Sequence, residues 1–241
     1  MSLSLGDDVI EVRHAPVDGI TPGLLALLSA EERAKADRFA FADDRNCFVA
    51  AHALLRATLS DFFTRAPQDW TFVTNAWSKP RVDATDGSAR LCFNLSHTRG
   101  WVAVAVALDR EVGVDVERIA PSRADEEVAR QLFAPAEFVA FQEEPQAGRA
   151  EAFFDVWTLK EAYIKAVGLG VALPLRDFAF TRAPLRISFA PTLDDTPSRW
   201  LFRRFRPAPD VAMALAARRG PGAEPVVKLR QVALGALIAA R

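Results

Sequence analysis

The chain has 241 residues, of which 50% are hydrophobic and 25% are charged, with 30 basic and 31 acidic side chains and a formal net charge of -1. This length and apolar content suffice for one globular domain of average size or for two small packed halves. The near-neutral charge provides no global field that would attract nucleic acid or an anionic membrane surface, so neither is expected as a partner. Any anion-binding site must therefore be local.

Two features of the sequence bear on location. The first residues, MSLSLGDDVIEVRH, lack the basic and apolar segments of a signal peptide, and no window reaches the roughly 18 apolar residues of a membrane span. Cys47 and Cys92 lie in apolar runs without the second pair that a zinc or redox motif requires, so we expect both to be buried and reduced. These features predict a cytoplasmic protein.

Helical patterns come first along the chain, and strand patterns follow. Residues 24–28 predict a short helix, and Ser29-Ala30-Glu31-Glu32 is a capping-box sequence that begins a second helix. Between residues 43 and 63, apolar side chains and His52 recur at helical spacing, which predicts a helix packed on a sheet. Alternating or β-branched runs then predict strands over 70–75, 90–96 and 101–108.

The second part of the chain repeats this mixture from residue 111 onward. EVGVDVERI at 111–119 predicts a strand, and helices are predicted at 123–143, interrupted by Pro135, and at 149–167. Further strands are predicted at 178–182, 185–190, 199–207, 211–217 and 225–232. The order indicates an α+β fold made of two similar α/β halves in a pseudo-twofold pair, residues 1–110 and 111–241.

Acidic side chains on the first strand of the second half form the clearest candidate for a metal site. Asp115 and Glu117 are two residues apart, so their carboxylates project from the same face and can converge on one hard cation such as Mg²⁺. Glu161 could complete the set from the helix at 149–167, where it lies one turn before Lys165. The alternatives are a solvated strand face and an ordinary helical ion pair.

A polar cluster ends the strand over 90–96, and lysines are scarce. FNLSHTRG places Asn94, Ser96 and His97 before a turn, where loops often bind ligands, although such residues also favour turns for local reasons. The 30 basic residues include only five lysines, which offer the compact charge suited to phosphate: Lys35, Lys79, Lys160, Lys165 and Lys228.

These segments occur together as blocks of one known family. The chain contains W-S-K-P at 77–80, F-N-L-S-H at 93–97, V-G-V-D-V-E at 112–117 and W-T-L-K-E-A-Y-I-K-A-V-G-L-G at 157–170, preceded by E-E-R-A-K-A-D-R-F at 31–39. In this order and at these separations, the sequence resembles the Sfp-type 4′-phosphopantetheinyl transferase family. The resemblance spans most of the chain and weakens after about residue 180.

The resemblance implies a set of site residues in a cleft between the two halves. Asp115, Glu117 and Glu161 are expected to hold Mg²⁺. Glu161, Lys165 and Asp115 are expected to be catalytic, with Glu161 as general base, acting directly or through water, and Lys165 or Lys160 stabilising negative charge. The residues expected to contact coenzyme A are Lys35, Lys79, Asn94, Ser96, His97, Asp115, Lys160 and Lys165.

The implied reaction moves the phosphopantetheine arm of coenzyme A onto a serine of an acyl or peptidyl carrier protein and releases 3′,5′-ADP. The carrier is expected to dock near 126–141, where Phe133 and Phe138 are apolar and Arg123 and Arg130 could steer an acidic partner. A monomer is expected, because one chain supplies both halves. The alternatives are a Mg²⁺-dependent hydrolase of coenzyme A or nucleotide pyrophosphates and a non-catalytic module that binds carrier proteins.

Overall fold

The computed structural model describes residues 4–77, 79–85 and 87–239. Its strands are β1 (Val9–Pro16), β2 (Phe72–Thr74), β3 (Pro80–Val82), β4 (Leu91–Thr98), β5 (Trp101–Leu108), β6 (Val112–Arg118), β7 (Phe178–Arg182), β8 (Leu185–Phe189), β9 (Trp200–Ala208), β10 (Val211–Arg218) and β11 (Val226–Gln231). Its α-helices are α1 (Pro22–Ala26), α2 (Ala30–Ala36), α3 (Ala42–Phe62), α4 (Glu126–Leu132), α5 (Pro135–Glu143), α6 (Arg149–Val167) and α7 (Ala236–Ala239). The expected α+β class is confirmed.

Two larger sheets form the centre of the molecule. The first has the strand order β11-β1-β5-β4, and the second has the order β6-β10-β9. Strand β1 pairs parallel with β11, whereas the other neighbours in both sheets pair antiparallel. Two short hairpins, β2-β3 and β7-β8, lie outside these sheets.

Four layers follow from the way these sheets bury their apolar faces. Helix α3 packs on β4 and β5, and helix α6 packs on β6 and β10. The opposite faces of the two sheets meet in a common core, to which β1 contributes Ile10 and Val12 and β6 contributes Val114 and Val116. The order of layers is therefore helix, sheet, sheet, helix, and each half has one sheet and one long helix.

Strand β1 was not predicted, and its polar residues are buried. Ile10 and Val12 alternate with Glu11 and Arg13, which looks like a strand with a solvated face. In the structure, Arg13 Nε donates to Glu11 Oε1 at 3.0 Å, and Arg230 Nε lies 3.1 Å from the same oxygen. Both Glu11 and Arg13 are buried, so ion pairing compensates for charges that would otherwise need water.

The last strand crosses back to the first half. Because β11 pairs with β1 along Val9↔Val226 to His14↔Gln231, residues 226–231 belong to the first sheet. The division into 1–110 and 111–241 stays a prediction about domains. Cys47 is buried and Cys92 is half-buried, and both are free thiols. Among the described residues, no helix is both long and apolar enough to cross a membrane.

Helix α6 lies unusually close to strand β6, and Gly113 permits that approach. A Cβ atom at Gly113 would lie 2.0 Å from the carbonyl oxygen of Ala162 and 2.4 Å from the backbone nitrogen of Ala166. Both distances are far below van der Waals contact, and both atoms belong to helix backbone that cannot rotate away. Only glycine therefore fits at this position.

We predict that Gly113→Ala lowers the free energy of unfolding by about 3 kcal/mol, because the added methyl group forces α6 away from β6. Urea denaturation measures this loss. Gly235→Ala is the matched control, since no atom lies within 4 Å of a Cβ built there. Equal stability of the two variants would contradict the proposed close approach.

Candidate active site

The two halves meet where β4 runs beside the free edge of β6. Val114 N donates to Asn94 Oδ1 at 2.9 Å, and Val116 N donates to Ser96 Oγ at 3.3 Å. Side chains of β4 thus satisfy the backbone of β6, where a neighbouring strand would ordinarily do so. We call this junction, formed by Asn94, Ser96, Val114 and Val116, the seam. It places Asp115 directly beside Ser96.

Asp115 is buried, and its two carboxylate oxygens have different surroundings. Its Oδ1 accepts hydrogen bonds from Lys165 Nζ at 2.6 Å and from Ser96 Oγ at 2.9 Å. Its Oδ2 is buried without a hydrogen-bond partner among the described residues. A buried carboxylate oxygen without a donor is costly, so this atom is suited to a cation or to a ligand's donor.

Two further carboxylates surround this aspartate. Glu117 accepts a hydrogen bond from Thr98 Oγ1 at 3.0 Å and another from Arg123 Nη1 at 3.3 Å. Burial raises the pKa of Glu161, and the negative charges of Asp115 and Glu117 raise it further. The positive charge of Lys165 opposes this rise but does not cancel it. The three acids predicted from the sequence therefore lie close enough to interact, one on α6 and two on β6.

The oxygen chemistry of these acids fits Mg²⁺. Within the described ranges, no group of three His, Cys, Asp or Glu side chains is already spaced as a complete metal site. Mg²⁺ does not need such a cage, because it commonly takes one or two carboxylates together with waters and substrate phosphate oxygens. The free Oδ2 of Asp115 and the mutual repulsion of the acids are the two features that such a cation would relieve.

A cavity of about 640 Å³ opens next to the acids. Its lining includes Glu161 and Lys165 from α6 and Asn94 from β4, and its walls are otherwise largely apolar. Both halves contribute to the lining, since Trp77 and Pro80 belong to the β2-β3 segment whereas Leu173 and Leu175 follow α6.

Comparison with known proteins shows which family the chain belongs to. Residues 111–216 match the model of the 4′-phosphopantetheinyl transferase superfamily, and residues 16–109 match that of the 4′-phosphopantetheinyl transferase N-terminal domain. The 4′-phosphopantetheinyl transferase HetI of Nostoc sp. is 33% identical over 174 residues, covering 71% of this chain and 73% of HetI. The chain belongs to the 4′-phosphopantetheinyl transferase family.

Relatives from Bacillus subtilis agree. A 4′-phosphopantetheinyl transferase of that organism is 29% identical over 156 residues, which cover 65% of this chain and 67% of the relative. The transferase Sfp of Bacillus subtilis strain 168 is 28% identical, covering 64% of this chain and 66% of Sfp. The resemblance first seen in the sequence blocks is thus confirmed for the family and for the enzyme class.

Lys79 of this transferase lies at the cleft, but its ammonium is engaged within the protein. Its Nζ donates to the carbonyl oxygen of Ala166 at 2.7 Å and forms an ion pair with Glu111. Nearby, Asn75 Nδ2 donates to the carbonyl oxygen of Gly168 at 3.3 Å. The β2-β3 segment therefore holds the C-terminal end of α6, where a positive charge also suits the helix dipole. Ser78 of the same sequence block lies outside the described residues.

Lys160 does not reach the cleft, and the structure gives no geometric support to the coenzyme A contact predicted for it. Its side chain is fully buried beside Glu137 and points into the core of the second half. The sequence contained a signal of this, because Lys160 falls three residues after Trp157 and four before Ile164, on the predicted apolar stripe of the helix. Its position next to Glu161 in sequence was misleading, since neighbours on a helix point in different directions.

Lys35 lines a second cavity, of about 490 Å³, on the first half of the transferase. Its Nζ lies 5.1 Å from the ring centroid of Phe48, and Arg38 and His52 line the same space. His97 interacts electrostatically with Lys165, which lines the first cavity, and with His52, which lines the second. Desolvation lowers its pKa, as do the charges of Lys165 and then of His52, so it lies within range of both sites.

Three residues near the candidate site were not predicted in the roles that the structure gives them. Thr98 and Arg123 bind Glu117, and Arg38 lines the second cavity. Thr98 follows Ser96 by two residues, so the period of a strand would have placed both side chains on one face. The contact of Arg123 with Glu117 depends on the path of the chain after β6, which no local pattern encodes.

Glu32 anchors the second cavity by joining α2 to α3. His52 Nδ1 lies 2.7 Å from Glu32 Oε1, and Arg56 Nε donates to Glu32 Oε2 at 2.6 Å. Burial opposes ionisation of Glu32, but these hydrogen bonds and charges prevail and lower its pKa from 4.5 to about 2. Glu32 also completes the capping box with Ser29, as the sequence predicted.

We predict a pH-dependent loss of stability in Glu32→Gln. A carboxylate with a lowered pKa stabilises the fold above pH 4.5, and this contribution disappears as the pH falls toward 2, so the variant should lose up to about 3 kcal/mol at pH 7 and progressively less in acid. Urea denaturation across this range measures the difference. The control Glu31→Gln, at an exposed neighbour, should stay within about 0.5 kcal/mol of the parent protein. A loss in Glu32→Gln that is constant with pH would contradict the prediction.

Proposed function

We propose that this transferase moves the phosphopantetheine group of coenzyme A onto a serine of an acyl or peptidyl carrier protein, in the cleft between its two halves. The single observation that carries the proposal is the environment of Asp115, which combines a free buried Oδ2 with bonds from Ser96 and Lys165 to Oδ1. The matching family models span both halves of the chain. Hydrolysis and non-catalytic carrier binding, the two alternatives, gain no support from the named relatives.

Asp115, Glu117 and Glu161 would hold Mg²⁺, which supplies positive charge that binds the pyrophosphate of coenzyme A and offsets the charge of the departing 3′,5′-ADP. Lys165 lies 2.6 Å from Asp115 Oδ1 and lines the cavity, so its ammonium is placed for a phosphate oxygen as well. Fixed charges of this kind, aimed at the developing negative charge, are commonly the largest contribution to catalysis.

Glu161 is the candidate general base. Burial and the neighbouring acids raise its pKa, so it binds a proton more readily than an exposed glutamate. In the proposed step, the serine oxygen bonds to the phosphorus nearer the pantetheine as the bond to 3′,5′-ADP breaks. The serine proton passes to Glu161.

The remaining contacts to coenzyme A come from the seam and the second cavity. Ser96 and Asn94 lie on β4 at the seam with Asp115, while His97 is near enough to Lys165 and to His52 for their charges to lower its pKa. A coenzyme A molecule with its pyrophosphate at the acids would extend its adenosine end, with the 3′-phosphate, toward Lys35.

The carrier is proposed to dock on α4 and α5, within residues 126–141, but one predicted contact residue is not available. Phe133 is 1% exposed and packs in the core, so it cannot contact a partner. Arg123 forms an ion pair with Glu117 at 3.3 Å but remains exposed, so it can still attract an acidic partner. The exposed apolar side chains on these helices are instead Val128 and Val139, at 39% and 53% exposure.

Location and assembly stay predictions. We propose that the transferase is cytoplasmic. We also propose that it is a monomer, since the chain itself supplies both sides of the cleft and needs no second copy to complete it.

The central prediction is a gain of one phosphopantetheine group by an apo carrier protein incubated with the transferase, coenzyme A and Mg²⁺, measured by intact mass. Asp115→Asn should reduce the rate by about 100-fold or more, because the amide cannot match the carboxylate charge. Asp210→Asn is the matched control, as Asp210 forms an exposed ion pair with Arg118. Coenzyme A cleavage without carrier modification would favour the hydrolase, and tight carrier binding without turnover would favour the module.

A charge reversal tests the docking surface. Arg130 is exposed on α4, with its guanidinium 4.8 Å from the ring centroid of Phe138 and 3.1 Å from Glu126. We expect Arg130→Glu to raise KM for an acidic carrier about tenfold at low salt and less at high salt, because the lost attraction is electrostatic and screened. Arg186→Glu, at an exposed site on β8, should leave KM unchanged. Equal KM values for the two variants would exclude docking at α4.

A further inference from the structure

We propose that the buried pair Lys160–Glu137 is a positioning device that fixes Glu161 relative to the cleft and to the α4-α5 surface. The proposal rests on the proposed function, because it concerns how the same site is held. Neither residue touches the cavity that contains Glu161. Both are positioning residues, acting through another group.

Lys160 uses all three hydrogens of its ammonium. Its Nζ donates to the carbonyl oxygens of Leu175 and Phe178, each at 2.7 Å, and lies 2.7 Å from Glu137 Oε2. Both side chains of the ion pair are 0% exposed. The pair is therefore dry, and every donor of the lysine has an acceptor.

Glu137 extends the network to two other parts of the chain. Its Oε2 accepts from Ala134 N at 2.8 Å, at the start of α5, and its Oε1 accepts from Phe180 N at 2.7 Å, in β7. One ion pair thus binds together α5, α6, β7 and the segment that leads into β7. Of these, α6 and the segment that leads into β7 line the cleft.

Stability alone is a weak reason for such an arrangement. Removing two charges from water is costly, and apolar residues of similar volume often replace a buried ion pair without loss. The ion pair instead provides hydrogen bonds with defined directions. Apolar packing permits small rotations of a helix, whereas three hydrogen bonds from one ammonium fix the rotation and the axial position of α6 at Lys160.

The next residue along the helix is Glu161. One residue corresponds to about 100° around a helix axis, so any rotation of α6 about its axis moves the Glu161 carboxylate relative to Asp115. Displacements of about 1 Å in a catalytic group are costly in rate. Leu175, whose carbonyl oxygen binds Lys160, also lines the cavity, so the same ammonium holds one of its walls.

The test compares the double variant Lys160→Met/Glu137→Leu with the control Asp155→Asn. The double variant keeps side-chain volume but loses the directed bonds. Asp155 is a buried acid on the same helix that binds Arg204 at 2.6 Å and Arg206 at 2.8 Å, so its loss perturbs α6 away from Glu161. Steady-state transfer to a carrier, thermal unfolding and calorimetric titration of Mg²⁺ with coenzyme A present are measured for each protein.

We expect the double variant to unfold cooperatively, to lose at least tenfold in kcat, to bind Mg²⁺ at least threefold more weakly and to keep its KM for coenzyme A within threefold. The control should lower Tm by a similar amount and keep both kcat and Mg²⁺ affinity. A double variant with parental kcat and Mg²⁺ affinity, or a control with the same losses, would overturn the proposal.

A second variant covers the case in which the double variant does not fold. Lys160→Arg keeps the charge, but a planar guanidinium cannot serve the same three acceptors, so kcat should again fall at least tenfold. Parental kcat in this variant would overturn the inference. If the parental protein modifies no carrier, the proposed function is refuted. If parent and variants modify the carrier equally well, only the positioning role of Lys160 and Glu137 is refuted.

Discussion

The seam between the halves is the interaction on which the rest of the site depends. Two backbone N–H groups of β6, at Val114 and Val116, are bound by side chains of β4. Had β4 paired with β6 through backbone bonds, the two sheets would form one surface and Asn94 and Ser96 would project from its faces. Because side chains bridge the gap, the sheets stay separate, and residues of both halves line a cleft near Asp115.

Positive charge in this transferase serves two purposes, and lysine serves both. Lys165 presents its ammonium to the cavity, whereas Lys79 and Lys160 use theirs to bind backbone carbonyl oxygens and one carboxylate each. A compact ammonium has three rotatable donors and can bind several acceptors in a small space. Buried Arg56 does the same with its guanidinium, which binds Glu32 and the carbonyl oxygens of Pro67 and Trp70. Lysine and arginine thus both connect distant parts of this chain through buried hydrogen bonds.

Local patterns predicted most of the elements, and the failures have physical causes. Helix α6 and strand β5 have the predicted bounds, and the period of a strand correctly paired Asp115 with Glu117 on one face. The alternation in β1 is a strand pattern that was overlooked, but the burial of Glu11 depends on a partner as distant in sequence as Arg230. The inward direction of Lys160 depends on Glu137, which sequence patterns cannot place. Long-range pairing is what the sequence alone did not reveal.

The position of β11 has a consequence for how the protein is made. Strand β1 lies between β5 and β11, so the first sheet is incomplete until residues 226–231 have been synthesised. Chains grow from the N-terminus at about 5–20 residues per second, so β1 waits on the order of ten seconds or more for its last neighbour. During that interval one edge of β1 has unpaired backbone groups, which are a template for pairing with other chains. The half that is synthesised first is therefore the half that is finished last, and nascent chains are most exposed to misassembly along β1.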